Sequence, residues 1–365
     1  MSQALIEFTP SMEEIKISEQ RNTDSLLRRM LIRLGIWLVL ALAILYGVVV
    51  WWCASEIAEP SRRTINAAQK AFMDGSENAG FSVEKFVSKS GMPCLVCTPV
   101  PVKALSKRAD IIRSQIAEKG IELKPAGETV GTLVILHGRS GMKEDYLAVA
   151  ERYCAIGFRC VIPDLPGHGA NPGRFATYGV KEGEMVLECY REAAAKFEFP
   201  EEPCVVLGQS MGGSVAVHAA ALPDSPFQAM VLVATFDRLN TVIRSQTENL
   251  LGSLLGGAVR VPADRVFGWK TGVKISEINP AEKAAGINIP TMIVHGESDK
   301  SVPTAAGRKL YAALPDLTEK QWLTVPGAGH NNVLVTDYPL YAAMGEWLLR
   351  HINPQTGGSP ASAPR

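Results

Sequence analysis

Between Leu34 and Ser55 the chain reads LGIWLVLALAILYGVVVWWCAS, 22 positions without a charge. As a helix rising ~1.5 Å per residue, this stretch reaches about 33 Å, close to the thickness of a bilayer hydrocarbon core. Trp37 lies near one end and Trp51 and Trp52 near the other, where amphipathic rings prefer the headgroup boundary. A cleavable signal peptide has a shorter apolar region, about 7–15 residues, ending in small residues. Here bulky Trp51 and Trp52 fill that end, and Cys53 after Trp52 also argues against lipoprotein processing. The run is therefore read as a retained transmembrane helix over 30–55, a single pass. Lys16, Arg21, Arg28, Arg29 and Arg33 precede it, and Arg62, Arg63 and Lys70 follow. Five basic residues against three place the N-terminus on the cytoplasmic side and the bulk of the chain outside.

The remainder divides by composition. Residues 1–29 are polar and mixed in charge, read as a tail, and 56–75 as a helical connector. A globular domain is expected over 76–352, and the Pro-, Gly- and Ser-rich 353–365 is a disordered tail. Lys+Arg and Asp+Glu both total 37, so there is no electrostatic footprint for nucleic acid. Seven cysteines make an odd count in a chain of 365 residues, large enough to need no disulfide scaffold. Cys94 and Cys97 have CxxC spacing but fall in a strand-like run, where positions three apart face opposite sides. They are read as core residues, not as a metal or redox pair.

Within 76–352, short apolar runs alternate with amphipathic stretches. Strands are expected at Phe81–Ser88, Cys94–Thr98, Gly131–His137, Arg159–Pro163, Cys204–Gly208, Ala229–Ala234, Thr291–His295 and Gln321–Val325. Helices are expected at Lys103–Lys119, Glu144–Ile156, Lys181–Phe197, Ser210–Ala221, Ala305–Leu314 and Tyr338–His351. A hairpin followed by strand–helix alternation means an α/β class, a mostly parallel sheet covered on both faces. Residues 235–290 exceed a short connection and carry Leu- and Val-rich segments, expected to form a small cap.

The sharpest local motif is Gly208-Gln209-Ser210-Met211-Gly212, between the apolar run Cys204–Leu207 and the helix former Ser214–Ala221. This is the strand–turn–helix setting in which G-x-S-x-G presents a nucleophile. A serine hydroxyl needs a base. Of six histidines, His330 alone sits on a flexible loop straight after the last strand, in Pro326-Gly-Ala-Gly-His330, beyond the strand ends where catalytic groups gather. The orienting acid is sought beyond a strand too. Asp299, in HGESDKSVP, gives the order Ser210, Asp299, His330. Glu297 is a weaker candidate, and Asp237, just past Ala229–Ala234, is the alternative acid. The backbone N–H groups of Arg139, in HGRSG, and of Met211, after the nucleophile, are the expected oxyanion donors.

HGRSG, DLPGHG (Asp164–Gly169), GQSMGG, HGESDKSVP and GAGH, in this order, resemble the α/β-hydrolase superfamily. They are most similar to its esterase, monoacylglycerol-lipase and serine-aminopeptidase-like branch. The resemblance covers roughly residues 80–350. It implies the α/β-hydrolase fold, an eight-stranded sheet with catalytic Ser210, Asp299 and His330 and no metal or organic cofactor. The anchor and the 103–119 helix lie outside the common pattern, and no HGGG run is present. Ser rather than Asp at 210 argues against dehalogenase and epoxide-hydrolase chemistry. The expected activity is hydrolysis of carboxylic esters through an acyl-serine. The anchor and apolar cap point to a small-molecule ester or lipid-like substrate. A serine peptidase, a thioesterase, transfer to an acceptor other than water, and a catalytically silent hydrolase-fold binding domain are the alternatives. The last usually lacks a triad or elbow residue, whereas all are present here.

Overall fold

The computed structural model describes residues 11–335 and 339–352. The tail expected over 353–365, and the start of the Tyr338–His351 helix, fall outside them. The chain divides into two units, residues 1–53 and 54–365. Helix α1 (Met12–Ala58) supplies the described part of the first unit. Residues 12–29 are therefore helical, a correction to the tail expected there, because nothing in that stretch breaks a helix: it holds no Gly or Pro. Thr23–Ala58 is long and apolar enough to cross a membrane. Trp37, Leu38, Val39 and Ile44 stand exposed on it, as on a helix apolar all round.

In the second unit, the 56–75 segment is helical only at its ends, in the last residues of α1 and in α2 (Ala67–Asp74). Pro60 ends the first, since its ring displaces the preceding turn. The Asn66 side chain accepts the Gln69 N–H at 2.9 Å and starts the second. Eight strands follow: β1 (Phe81–Val87), β2 (Pro93–Pro99), β3 (Gly131–Leu136), β4 (Phe158–Pro163), β5 (Cys204–Gln209), β6 (Phe227–Val233), β7 (Thr291–Gly296) and β8 (Lys320–Val325). Each lies within two residues of its expected bounds. Between and after them run α3 (Lys107–Ala117), α4 (Leu147–Ala155), α5 (Glu182–Lys196), α6 (Met211–Ala220), α7 (Leu239–Thr271), α8 (Pro280–Ala284), α9 (Thr304–Ala313) and α10 (Leu340–Ile352). The 235–290 region is mostly the long helix α7.

The strands form one sheet in the order β1-β2-β4-β3-β5-β6-β7-β8. β1 and β2 are antiparallel, as are β2 and β4, and the other neighbours are parallel. This is the α/β-hydrolase fold. Alternation along each strand divides the core. Val134, Leu136, Val206 and Cys94 point to one side with α5, α6 and α9, whereas Leu133, Ile135, Val205 and Cys97 point to the other with α3, α4 and α10. Cys94 and Cys97 thus separate, and both are free thiols. Each large apolar side chain so buried contributes about 1.5–3 kcal/mol. The parallel register aligns the carboxyl ends of β3, β5, β6 and β7 along one edge. Leu136 lies opposite Gly208, Gly208 opposite Leu232, and Val233 opposite Val294.

Two histidines brace that edge in neutral form. His137 Nδ1 donates to the Gly138 carbonyl at 2.9 Å, while its Nε2 accepts the Leu165 N–H at 3.0 Å. His168 Nδ1 donates to the Pro166 carbonyl at 2.9 Å, leaving a buried Nε2 that has no partner among the described residues. Burial first, and the adjacent His137 second, pull His168 down to about 3. Burial lowers His137 as well. The unfolded chain binds these protons near pH 6.5, whereas the folded chain resists them. The contribution to stability is therefore complete above about pH 6.5 and shrinks as pH falls toward 3. The melting temperature in detergent should fall steadily from pH 7 to pH 4, and His168→Gln should flatten part of that slope. A melting temperature constant over this range, or an unchanged slope in the variant, would contradict the assignment.

Candidate active site

Ser210 sits in the turn between β5 and α6 with φ 52° and ψ −113°, a region that costs a non-glycine residue about 1–3 kcal/mol. Its N–H is tied to the Val233 carbonyl at 2.7 Å, fixing the turn to the neighbouring strand. The flanking glycines make this geometry available. A Cβ on Gly208 would lie 2.4 Å from the Gly212 carbonyl oxygen, and one on Gly212 would lie 2.1 Å from that of Leu136. Only glycine lets strand, turn and helix approach so closely.

His330 reaches the same point from the loop after β8. Its Nε2 lies 3.0 Å from Ser210 Oγ and its Nδ1 2.8 Å from Asp299 Oδ2. The carboxylate fixes Nδ1 as the protonated nitrogen, which leaves Nε2 to accept the serine proton. Asp299 is held in turn by its loop after β7. The N–H groups of Ser301 and Val302 donate to Oδ1 at 2.9 and 2.8 Å. Burial works against the charge of Asp299. The side-chain bonds from His295 and His330, the His330 charge and the Val302 N–H outweigh it and hold the carboxyl well below the usual carboxylate range.

The structure thus brings Ser210, Asp299 and His330 together and leaves the other candidates elsewhere. Asp237 is buried, its carboxylate accepting from Thr241 Oγ1 at 3.2 Å rather than meeting His330. Glu297 accepts the Gly327 N–H at 3.0 Å. His218 and His351 bond carbonyls of their own helices, Ser214 and Trp347, at 2.8 and 2.7 Å.

Two residues not singled out by the sequence support the site. Tyr146 Oη donates to Gln209 Oε1 at 2.5 Å and accepts the Gly138 N–H at 3.3 Å. It joins the residue before the nucleophile to the loop after β3. Burial raises its phenol well above the ordinary tyrosine value, so it stays a donor. His295 donates from Nε2 to the Val302 carbonyl at 3.0 Å and stacks on Trp322, steadying the acid loop. Nothing local marks Tyr146, which falls among core-facing positions of an amphipathic stretch. His295 carried a signal in its place at a strand end.

Gly138, Arg139, Ser210, Met211 and His330 line a cavity of about 1180 Å³, somewhat larger than ordinary small-molecule sites. Phe236, Leu239, Val242 and Ile243 from the β6 end and α7 form an apolar wall, and Ile57, Val149, Arg63 and Asp145 also line the cavity. The Arg139 and Met211 N–H groups donate to no acceptor among the described residues. They border the same cavity as the Ser210 hydroxyl. Among the described residues, no group of three or more His, Cys, Asp or Glu side chains is arranged to hold a metal ion.

The family model for serine aminopeptidase, S33, matches residues 127–261. A monoacylglycerol lipase of Mycolicibacterium smegmatis is 26% identical over 216 residues, 51% of this chain and 76% of that protein. A pimeloyl-[acyl-carrier protein] methyl ester esterase of Chromobacterium violaceum is 28% identical over 261 residues, covering 60% of this chain and 96% of the esterase. Among solved structures, an esterase of Pyrococcus furiosus superposes with a TM-score of 0.56 at 17% identity, over 80% of this chain and 99% of that one. The geometry gives a test of the acid. Asp299→Asn should lower kcat by about 10³–10⁴ by favouring the wrong histidine tautomer, whereas Asp237→Asn should leave kcat nearly unchanged. The reverse order in steady-state assays would assign the acid to Asp237.

Proposed function

We propose that this chain is a membrane-anchored serine hydrolase of the α/β-hydrolase superfamily that cleaves hydrophobic, lipid-like carboxylic esters through an acyl-Ser210 intermediate. The observation that carries the reading is the hydrogen-bonded series Ser210, His330, Asp299 opening into a large, partly apolar cavity. His330 Nε2 takes the hydroxyl proton as Ser210 Oγ attacks the ester carbonyl. Asp299 stabilises the imidazolium and keeps Nε2 aimed at the serine. The Arg139 and Met211 N–H groups receive the negative charge that develops on the carbonyl oxygen. His330 then returns its proton to the leaving alcohol, and the acyl group stays on Ser210. Water activated by His330 attacks the acyl-enzyme, releasing the acid and restoring the serine.

The lipase and esterase relatives make this an α/β-hydrolase of the esterase and lipase type. Two features favour hydrophobic substrates: the apolar wall from Phe236 to Ile243, and an anchor that holds the enzyme where such esters partition. The excess of basic residues before residue 34 supports a cytoplasmic N-terminus with the catalytic domain on the outer side.

The test is turnover of purified full chain in detergent micelles on an ester series from acetyl to long acyl, with matched anilides and thioesters. Esters should be cleaved fastest, kcat/KM should rise with acyl length, and Ser210→Ala should remove nearly all turnover. Preference for the anilides would replace the ester reading with a peptidase one, and a thioester preference would make it a thioesterase. Protease added outside intact cells should digest the domain; complete protection would reverse the orientation.

A further inference from the structure

A helix ends with four carbonyls that lack intrahelical partners, and a buried or partly buried end must find donors for them. At the end of α1 these are the carbonyls of Ser55, Glu56, Ile57 and Ala58. Pro60, which follows closely, has no N–H to offer. The Glu59 N–H takes Ser55 at 2.8 Å. The other three are capped by distant parts of the chain: Arg139 donates to Glu56, Tyr178 Oη to Ile57 at 2.9 Å, and the Ala176 N–H to Ala58 at 2.9 Å. The Arg139 guanidinium also meets the Glu56 carboxylate at 2.8 Å. A cation at a helix C-terminus is favoured by the helix dipole as well. All of these residues belong to the unit 54–365.

The identity of the first cap gives this geometry its consequence. Arg139 is the residue whose own N–H is assigned to the oxyanion. Its neighbour Ser140 is held in the left-handed region at φ 62°, and the Gly141 N–H closes the turn on the Gly138 carbonyl at 3.0 Å. On the β3 side the turn is fixed by the bond between Gly138 and Tyr146. At Arg139 the described attachment to the rest of the protein runs through the side chain, to the last turn of α1. Glu56 and Ile57 line the cavity that holds Ser210. More bonds tie the adjoining segment to the same unit. Arg62 donates to the Asn171 and Gly173 carbonyls, and Lys270 bridges Ser55 and Glu59.

We infer that the last turn of α1 is a wall of the active site and that Arg139 is a positioning residue, which sets the oxyanion loop by capping the Glu56 carbonyl. This rests on the proposed role of the Arg139 N–H. A donor displaced by about 1 Å loses on the order of tenfold to a hundredfold in rate, and the loss falls on the transition state, hence on kcat.

The experiment uses full chain in micelles with one ester, comparing wild type, Arg139→Ala, Arg139→Lys, Tyr178→Phe and Ser210→Ala for kcat, KM and melting temperature. Arg139→Ala should lose about tenfold or more in kcat with KM little changed. Arg139→Lys, which keeps one donor for Glu56, should recover part of it. Tyr178→Phe, which uncaps the next carbonyl, should show a smaller loss of the same kind. A wild-type kcat in Arg139→Ala and Tyr178→Phe, with only a lowered melting temperature, would overturn the inference. A loss confined to KM would overturn it as well, making Arg139 a substrate contact. If Arg139→Ala does not fold, Arg139→Lys and Tyr178→Phe decide by the same criteria. Ser210→Ala keeps the cases apart: if it retains turnover, the serine-hydrolase reading itself fails, whereas an inactive Ser210→Ala beside a fully active Arg139→Ala removes only the positioning role.

Discussion

The turn at Ser210 is where the fold and the chemistry meet. A serine at φ 52° is strained, and strain of that order persists only where the surroundings over-determine it. Here β5 enters the turn from the centre of the sheet, α6 leaves it at once, and the Val233 carbonyl holds its N–H. Gly208 and Gly212 let helix and strands close to distances that a Cβ would block. Moving any of these elements would move the Ser210 hydroxyl relative to His330. The long parallel register from β3 to β7 can therefore be seen as the rigid frame for one side chain. The loops at its edge deliver Arg139, His330 and Asp299 to that side chain from separate parts of the sequence.

The edge is polar, and it is held polar without stray charge. His137 and His168 are kept neutral by bonds that use Nδ1 as donor, so neither competes with His330 as a base. Asp164 is fully buried, yet it accepts from the Lys143 N–H, the Lys143 ammonium and the Ala170 N–H. A buried ion pair of this kind is tolerated because its remaining lone pairs are bonded. Asp299 keeps its charge by the same means. The result is a site in which His330 is the imidazole that stands between a serine hydroxyl and a carboxylate.

Much of this was legible in the sequence because it is local. Each β strand is a short apolar run bounded by turn residues, and eight such runs became eight strands. GQSMG, GAGH and HGESD stand directly after strands, so a parallel sheet brings them to one edge. Asp237 also follows a strand, and sequence order gave no physical reason to reject it. Only the position of His330 shows that Asp299 is the carboxylate in contact. The start of α1 at Met12 was missed because polar residues compatible with a helix carry no apolar period. Tyr146, Tyr178 and the cap on the α1 carbonyls were missed for a different reason. Their partners lie 8 to 121 residues away, and such contacts leave no pattern in the neighbouring residues.

The central claim is that Ser210 is an activated nucleophile, and it is tested most directly by covalent labelling. Full chain solubilised in detergent would be treated with a fluorophosphonate and read by intact mass, beside Ser210→Ala. The account predicts one adduct on the wild type, mapped to the peptide containing Ser210, and none on the variant. Folded wild type that takes no label, or a variant that labels equally well, would contradict it.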